Sequence, residues 1–442
     1  MSDKPKTLLT LQEKIKTHTA TVGVVGLGYV GLPFAVEKAK VGFQVFGIEQ
    51  NPIRAERVNI ADNYINDVKD EELKQVVSSG KLQAVLNFDK VPEMDVIVIC
   101  VPTPLTKNLT PNLSYIENVT QGIAQHLKSG QLVTLESTTY PGTTDEVMRP
   151  VLEHTSGLKQ GQDFFLAHSP ERVDPGNQRY TTKNTNKVVG ASDPYSLEAA
   201  KLFYEQTIEQ VVPVSSAKAA ELVKVFENTF RAVNIALVNE LAMLCDRMGI
   251  DVWEVLDAAN TKPFGIMPFY PGPGVGGHCI PIDPHYLEWK AKEFNFDTHF
   301  IALAGEINRR MPEFVRDKAW RVLNDLGIAP ARATVLAIGA AYKKNLGDWR
   351  ESPAIAVMSC LLKDKVTITY HDPYVPEIQV SGQKLYSVEL TDENIAAADL
   401  VIIATDHSGI DYINLVQKAQ AVLDTRGVTR HLNCDREKVT LL

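Results

Sequence analysis

The chain has 442 residues, 44% of them hydrophobic and 22% charged, with a formal net charge of -9. This length allows two or three domains with ample core, and the acidic balance argues against a nucleic-acid partner, so phosphate groups must be held by local Lys and Arg. The five cysteines (Cys100, Cys245, Cys279, Cys360, Cys434) lack CxxC spacing, so neither a zinc site nor a disulfide framework is suggested. No apolar run reaches the ~18 residues of a membrane span, and the patch at 8–11 is too short for a signal peptide, so the expectation is a cytoplasmic protein without a membrane partner.

Residues 21–25 form a β-branched run that reads as a buried parallel strand. It feeds Gly26-Leu27-Gly28-Tyr29-Val30-Gly31, then an apolar helical stretch through Phe34, Ala35, Val36 and Ala39. A second strand at 44–48 ends in Glu49, 18 residues after the third glycine. Strand, GxGxxG, helix, strand and acid in that order form a dinucleotide-binding fingerprint. Gly26, Gly28 and Gly31, with Tyr29 and Val30 between them, let the backbone approach a pyrophosphate at the helix N-terminus. Glu49 accepts ribose hydroxyls and repels a 2'-phosphate, which favours NAD over NADP; Arg54 is the residue that speaks for the phosphate. Further strands at 95–101, 131–135 and 164–167 end in polar turns carrying Thr103, Thr138 and Glu171. Carboxyl ends of strands line the ligand crevice of an open α/β sheet. Singly, each of the three reads equally well as a turn or cap residue; their shared placement makes them site candidates.

Residues 217–248 contain no proline or glycine, and apolar side chains fall on nearly every face, which predicts a long helix buried between domains or subunits. Lys224 and Asn228, four apart, share one face of it. A lysine there calls for an anionic ligand, or for a salt bridge to Glu221 or Glu227. Four glycines follow within 272–277, and then Cys279 and Asp283-Pro284. A thiol on a glycine loop beside a helix N-terminus favours a reactive thiolate; the alternative is an inert buried cysteine. Asp283 reads either as a site acid or as the helix N-cap. Pro312 predicts a kink or break in a helix over 300–326. Strands at 334–338, 366–370, 400–404 and 421–423 imply a second parallel sheet without GxGxxG, its ends carrying Lys343, Lys344, Arg350 and Arg426. The expected architecture is α/β: two Rossmann-like doubly wound parallel-sheet domains, at 1–212 and 316–442, joined by a central helical and dimerisation domain at 213–315. That frame places the cysteine loop in the cleft between the two sheets.

The stretches GVVGLGYVGLP, CVPTP, ESTTYPGTT, SPERVDPGN, AELVKVFENTFRAVNIALVNE, PGPGVGGHCIPIDP and AYKKNLGDWRESP resemble the UDP-glucose/GDP-mannose dehydrogenase family from about residue 22 to 427. The resemblance implies a four-electron oxidation of a UDP-sugar C6 alcohol to a carboxylate, with NAD as acceptor and Cys279 carrying a thiohemiacetal and then a thioester. It implies that Glu171 is a general acid/base for the covalent stage, that Lys224 stabilises oxyanion charge, that Asp283 and Thr138 position water, and that Asn228 holds the sugar. Arg231, Phe269, Tyr270, Gly276, Lys343 and Arg426 resemble UDP-sugar contacts, and Thr103, Thr138 and Arg350 cofactor contacts. Glu49 stands where the family often has Asp, and Pro175 where its UDP-glucose enzymes have an acid. The second departure favours an acetamido sugar. UDP-N-acetylglucosamine is the expected substrate, with UDP-N-acetylgalactosamine, UDP-N-acetylmannosamine and UDP-glucose as alternatives, and a homodimer or larger homo-oligomer the expected assembly.

Overall fold

The computed structural model describes residues 4–65, 67–106, 108–173, 179–277 and 280–442. Its chain divides into two compact units, residues 1–227 with 285–296 and residues 228–284 with 297–442. Among the described residues no helix is long and apolar enough to cross a membrane.

Eight short strands form the sheet of the first unit: β1 Thr21–Val25, β2 Gln44–Ile48, β3 Leu82–Val85, β4 Val96–Ile99, β5 Leu132–Leu135, β6 Phe165–His168, β7 Lys187–Gly190 and β8 Val211–Val214. Their order is β3-β2-β1-β4-β5-β6-β7-β8, with the direction of winding reversing between β1 and β4. β1 to β6 pair in parallel. β4 and β5 bury every side chain, as strands covered on both faces must. The expected parallel sheet has one departure: β7 runs antiparallel to β6 and β8 continues parallel to β7. Pro213 is accommodated because β8 is an edge.

The apolar patch at 8–11 belongs to a helix, Lys6–Lys16, that buries Leu8, Leu11 and Ile15 and packs on the Pro194–Glu205 helix. Lys38, on the Gly31–Lys40 helix, is fully buried, donates to Phe203 O at 2.7 Å and lies 3.8 Å above the Phe203 ring. Burial drives its pKa well down, and the carbonyl and ring face are what the desolvated amine receives in exchange for water.

The second unit holds five parallel strands, β9 Thr334–Ile338, β10 Thr367–His371, β13 Leu400–Ile403, β14 Val422–Asp424 and β15 Val439–Leu441, ordered β10-β9-β13-β14-β15. A hairpin of β11 Glu377–Val380 and β12 Gln383–Tyr386 interrupts the series. This sheet too reverses its winding, between β9 and β13. The His299–Asp325 helix runs on through Pro312 where the sequence predicts a kink or break; Met311, Pro312 and Val315 are all buried, and that packing offsets the lost helical donor.

The Ala217–Met248 helix spans the residues its composition predicts. It is not buried all round within one chain. Leu222, Phe226, Phe230, Leu237, Leu244 and Met248 recur every four or seven residues and are 41–61% exposed, which makes a single stripe.

Buried carboxylates tie loops to the strand ends. Asp372, 3% exposed and just past β10, accepts from Ala340 N (2.7 Å), Ala341 N (2.9 Å), Tyr374 N (2.8 Å), Val375 N (3.1 Å) and the buried His407 Nε2 (3.0 Å). Burial alone would raise its pKa; His407 and these N–H groups outweigh it and hold the carboxyl below its ordinary range. Removing this acceptor strands several buried donors. Asp372→Ala is expected to destabilise the protein by about 3–5 kcal/mol, and Asp372→Asn by less, read as loss of Tm in thermal melts.

Candidate active site

At the end of β1 the chain must turn so tightly that side chains do not fit. Gly26 has φ 89°, and a Cβ there would lie 2.5 Å from Cys100 O. A Cβ on Gly31, the first residue of the Gly31–Lys40 helix, would lie 1.8 Å from Gly26 O. Gly28 differs: a Cβ there meets nothing within 4 Å, so the protein leaves that side open. Tyr29 is half exposed, and Val30 at the helix N-cap makes no side-chain cap; Leu32 N donates to Gly28 O at 3.1 Å and Pro33 has no N–H, so Gly31 N is the first-turn donor left for a ligand. Open backbone at a helix N-terminus is what a pyrophosphate requires.

Glu49, 7% exposed at the end of β2, accepts from Leu27 N (3.1 Å) and Asn51 N (3.0 Å). The carboxylate is thereby tied to the glycine turn. Arg54 Nη1 lies 4.0 Å from Glu49 Oε2, so the charge that could receive a 2'-phosphate already faces an anion. These residues fit NAD.

β4 and β5 bring Thr103 and Thr138 together: Thr103 Oγ1 donates to Thr138 O at 2.6 Å, and Tyr286 OH donates to Thr103 O. Just beyond Thr138, Glu221 enters from the Ala217–Met248 helix and accepts from Gly142 N, Thr144 N (2.8 Å) and Thr144 Oγ1 (2.7 Å). Burial pushes the Glu221 carboxyl up to about 7 against these donors. Glu227 pairs with Arg172 at 2.6 Å. Both acids that the sequence offers as partners for half-buried Lys224 are therefore engaged elsewhere. Glu171 follows β6 with its Oε1 accepting from Arg172 N and Val173 N, both at 2.8 Å.

In the second unit Asn228 Nδ2 donates to Asp283 Oδ2 at 2.5 Å, and both residues are 2% exposed. Asp283 is the first residue of the Asp283–Ala291 helix, not the residue before it. Cys279, with His278, lies outside the described residues, as does Pro175. Around it, Gly274 has φ 135° and Gly277 φ 92°, and a Cβ on Gly276 would lie 2.7 Å from Pro353 Cδ and 2.8 Å from Tyr342 Cβ. The glycines thus let the loop backbone lie directly on Tyr342 and Pro353.

The 269–272 segment is anchored from three sides. Phe269 meets Phe230, with ring centroids 6.1 Å apart. Tyr270 stacks on Trp253 at 5.8 Å and donates to Asp257 Oδ1 at 2.9 Å. Gly272 N donates to Asn239 Oδ1 at 3.0 Å, and Asn239 in turn donates to Asn308 at 2.9 Å. Arg426 is half-buried, its Nε on Ala404 O at 2.7 Å, and desolvation lowers its pKa. A Cβ on Gly272 would lie 3.0 Å from its Nη1. Lys343 is half-buried beyond β9 and Arg231 is exposed. Arg350 makes a two-point pair with Asp348 (2.6 and 2.9 Å).

Sequence reasoning overlooked Lys187, Glu136, Asn239, Asp372 and His407. A lone Asn within an otherwise apolar helical run is the signal that could have found Asn239; a buried lysine at a strand start carries none.

A pyrophosphate seat closing one doubly wound sheet, and basic residues (Lys343, Arg426) at the ends of a second, define an NAD-dependent oxidoreductase with a further nucleotide-binding domain. Comparison with known proteins gives the family. Residues 20–208 match the NAD binding domain, 218–310 the central domain and 336–431 the UDP binding domain of the UDP-glucose/GDP-mannose dehydrogenase family, and the chain belongs to it. It is 36% identical over 394 residues to the UDP-N-acetyl-D-mannosamine dehydrogenase of Pyrococcus horikoshii, covering 89% of this chain and 91% of that protein. Identity is also 36% over 409 residues to the UDP-N-acetyl-D-glucosamine 6-dehydrogenase of Pseudomonas aeruginosa, covering 91% and 95%. A solved structure of UDP-D-ManNAc dehydrogenase from Pyrococcus horikoshii superposes with a TM-score of 0.86 at 32% identity, covering 95% of this chain and 98% of that one.

The two glycines separate binding from folding. Gly28→Ala is expected to keep the wild-type Tm while weakening NAD binding about tenfold or more, because its methyl meets no protein atom within 4 Å yet narrows the open side of the turn. Gly31→Ala should lower both. Thermal melts and NAD titration of the two variants check this.

Proposed function

We propose that the protein oxidises the C6 hydroxyl of UDP-N-acetylglucosamine to the carboxylate in the cytoplasm, consuming two NAD+ and one water and releasing two NADH and three protons. The observation that carries the reading is the buried Asn228–Asp283 pair, whose acid stands four residues after Cys279 behind a glycine-built loop. Bound NAD supplies a hydride acceptor. Glu171 is the general acid/base of the covalent stage at C6, and the Lys224 ammonium stabilises oxyanion charge. The Cys279 thiolate adds to the C6 aldehyde, and after the second oxidation the resulting thioester is opened by water that Asp283 and Thr138 orient. Asn228 and Arg231 hold the sugar, with Phe269, Tyr270 and Gly276 over it. Lys343 and Arg426 take the UDP moiety, and Arg350, with Thr103, serves the cofactor. The relative from Pseudomonas aeruginosa supports the acetylglucosamine substrate. The equally similar mannosamine enzyme makes UDP-N-acetylmannosamine the second reading.

The ratio of NADH formed to UDP-N-acetylglucosamine consumed is expected to be about two, with collapse in Cys279→Ser. A ratio near one would make the aldehyde the product; faster turnover of UDP-N-acetylmannosamine or UDP-glucose would reassign the sugar.

We also propose that the protein self-associates through the Leu222–Met248 stripe, since six large apolar side chains on one helix face exceed what a solvated face carries. Light scattering at micromolar concentration should give a dimer or larger species, and a monomer there overturns the assignment.

A further inference from the structure

A buried charge cluster stands behind Glu171, and the chemistry above leaves most of it unused. Glu136, immediately after β5, is 1% exposed, and Lys187, which opens β7, is 3% exposed. Lys187 Nζ lies 2.8 Å from Glu136 Oε2 and 3.1 Å from Glu171 Oε2. With Oε1 on the N–H groups of Arg172 and Val173, both oxygens of Glu171 are held. Glu136 Oε1, by contrast, has no hydrogen-bond partner among the described residues.

Two carboxylates face one ammonium, and their surroundings act on them in opposite directions. Burial pushes Glu136 up despite Lys187. Burial acts on Glu171 in the same direction, but the Lys187 charge and the two N–H donors outweigh it and leave Glu171 below the usual carboxylate range.

The other groups facing the cluster do not replace Lys187. His168 is fully buried, and burial with the Lys187 charge lowers it to about 3, so its ring is neutral. Burial raises the Cys100 thiol and the Tyr204 phenol, which stay protonated; the Tyr204 ring lies 5.5 Å from Lys187 Nζ. Lys38 is held by Phe203 O, and the Arg172 guanidinium by Glu227.

We infer that Lys187 is a positioning residue for the oxidation: its ammonium fixes the orientation and charge of the Glu171 carboxylate, while Glu136 is the buried counter-ion that keeps Lys187 in place. This inference rests on Glu171 being the acid/base at C6. Loss of the ammonium favours the protonated carboxyl, so the base disappears at a higher pH than in the wild type. The test is the pH profile of kcat/KM with UDP-N-acetylglucosamine for wild type, Lys187→Gln, Lys187→Arg and Glu171→Gln. In Lys187→Gln the acid limb is expected to move up by about 1 to 3 pH units, and Lys187→Arg should move it back toward the wild type. Should Lys187→Gln fail to fold because Glu136 is left unpaired, the Glu136→Gln/Lys187→Gln double variant removes both partners and is read the same way. An inactive Glu171→Gln beside an unmoved acid limb in the Lys187 variant overturns the inference alone, leaving the cluster a brace between strands. A fully active Glu171→Gln overturns the assignment of the base and the inference with it.

Discussion

Charge at the dry carboxyl end of a parallel sheet persists only when every ion is matched by an opposite charge or by convergent hydrogen bonds. Much of the site obeys that constraint. Glu49 is held by the N–H groups of Leu27 and Asn51, Asp372 by four N–H groups and His407, Glu221 by the Gly142–Thr144 turn, and Glu171 by Lys187 with two N–H groups. Each acid fixes a loop, and each of those loops carries a residue assigned to cofactor or substrate. The polar groups of the strand ends are thus structural and chemical together, because a loop that must stop at an ångström-scale position needs a strong, directional tether.

Glycine solves the complementary problem. Where tethers bring backbones together, no side chain can stand between them. Gly31 lies on Gly26 O, Gly339 against Thr405 and Gly276 against Tyr342 and Pro353, so both switch points and the cysteine loop rely on the missing Cβ. Gly28 differs from these, since a Cβ there would meet nothing within 4 Å.

The Ala217–Met248 helix shows how far a periodic reading reaches. Its ends and apolar content were legible because an uninterrupted run of thirty-two helix-compatible residues has few other outcomes. Its environment was not. Composition alone cannot tell a helix packed on every side from one that leaves a stripe at 222, 226, 230, 237, 244 and 248 about half exposed. The same limit applies to Lys224: from the sequence, Glu221 and Glu227 are natural partners by spacing, yet tertiary contacts commit them to Gly142, Thr144 and Arg172.

The α/β class, the dinucleotide turn, the NAD preference and the family were all legible along the chain, since these depend on local patterns: β-branched runs, glycine spacing and an acid at a strand end. Folding in three dimensions set the reversal of β7 against β6, the continuation of the His299–Asp325 helix through Pro312, and the meeting of Asn228 with Asp283. It also decided that Lys187 stands between Glu136 and Glu171, residues 51 and 16 positions away. Such pairings follow from desolvation, which acts on groups that folding brings together however far apart they stand in the chain.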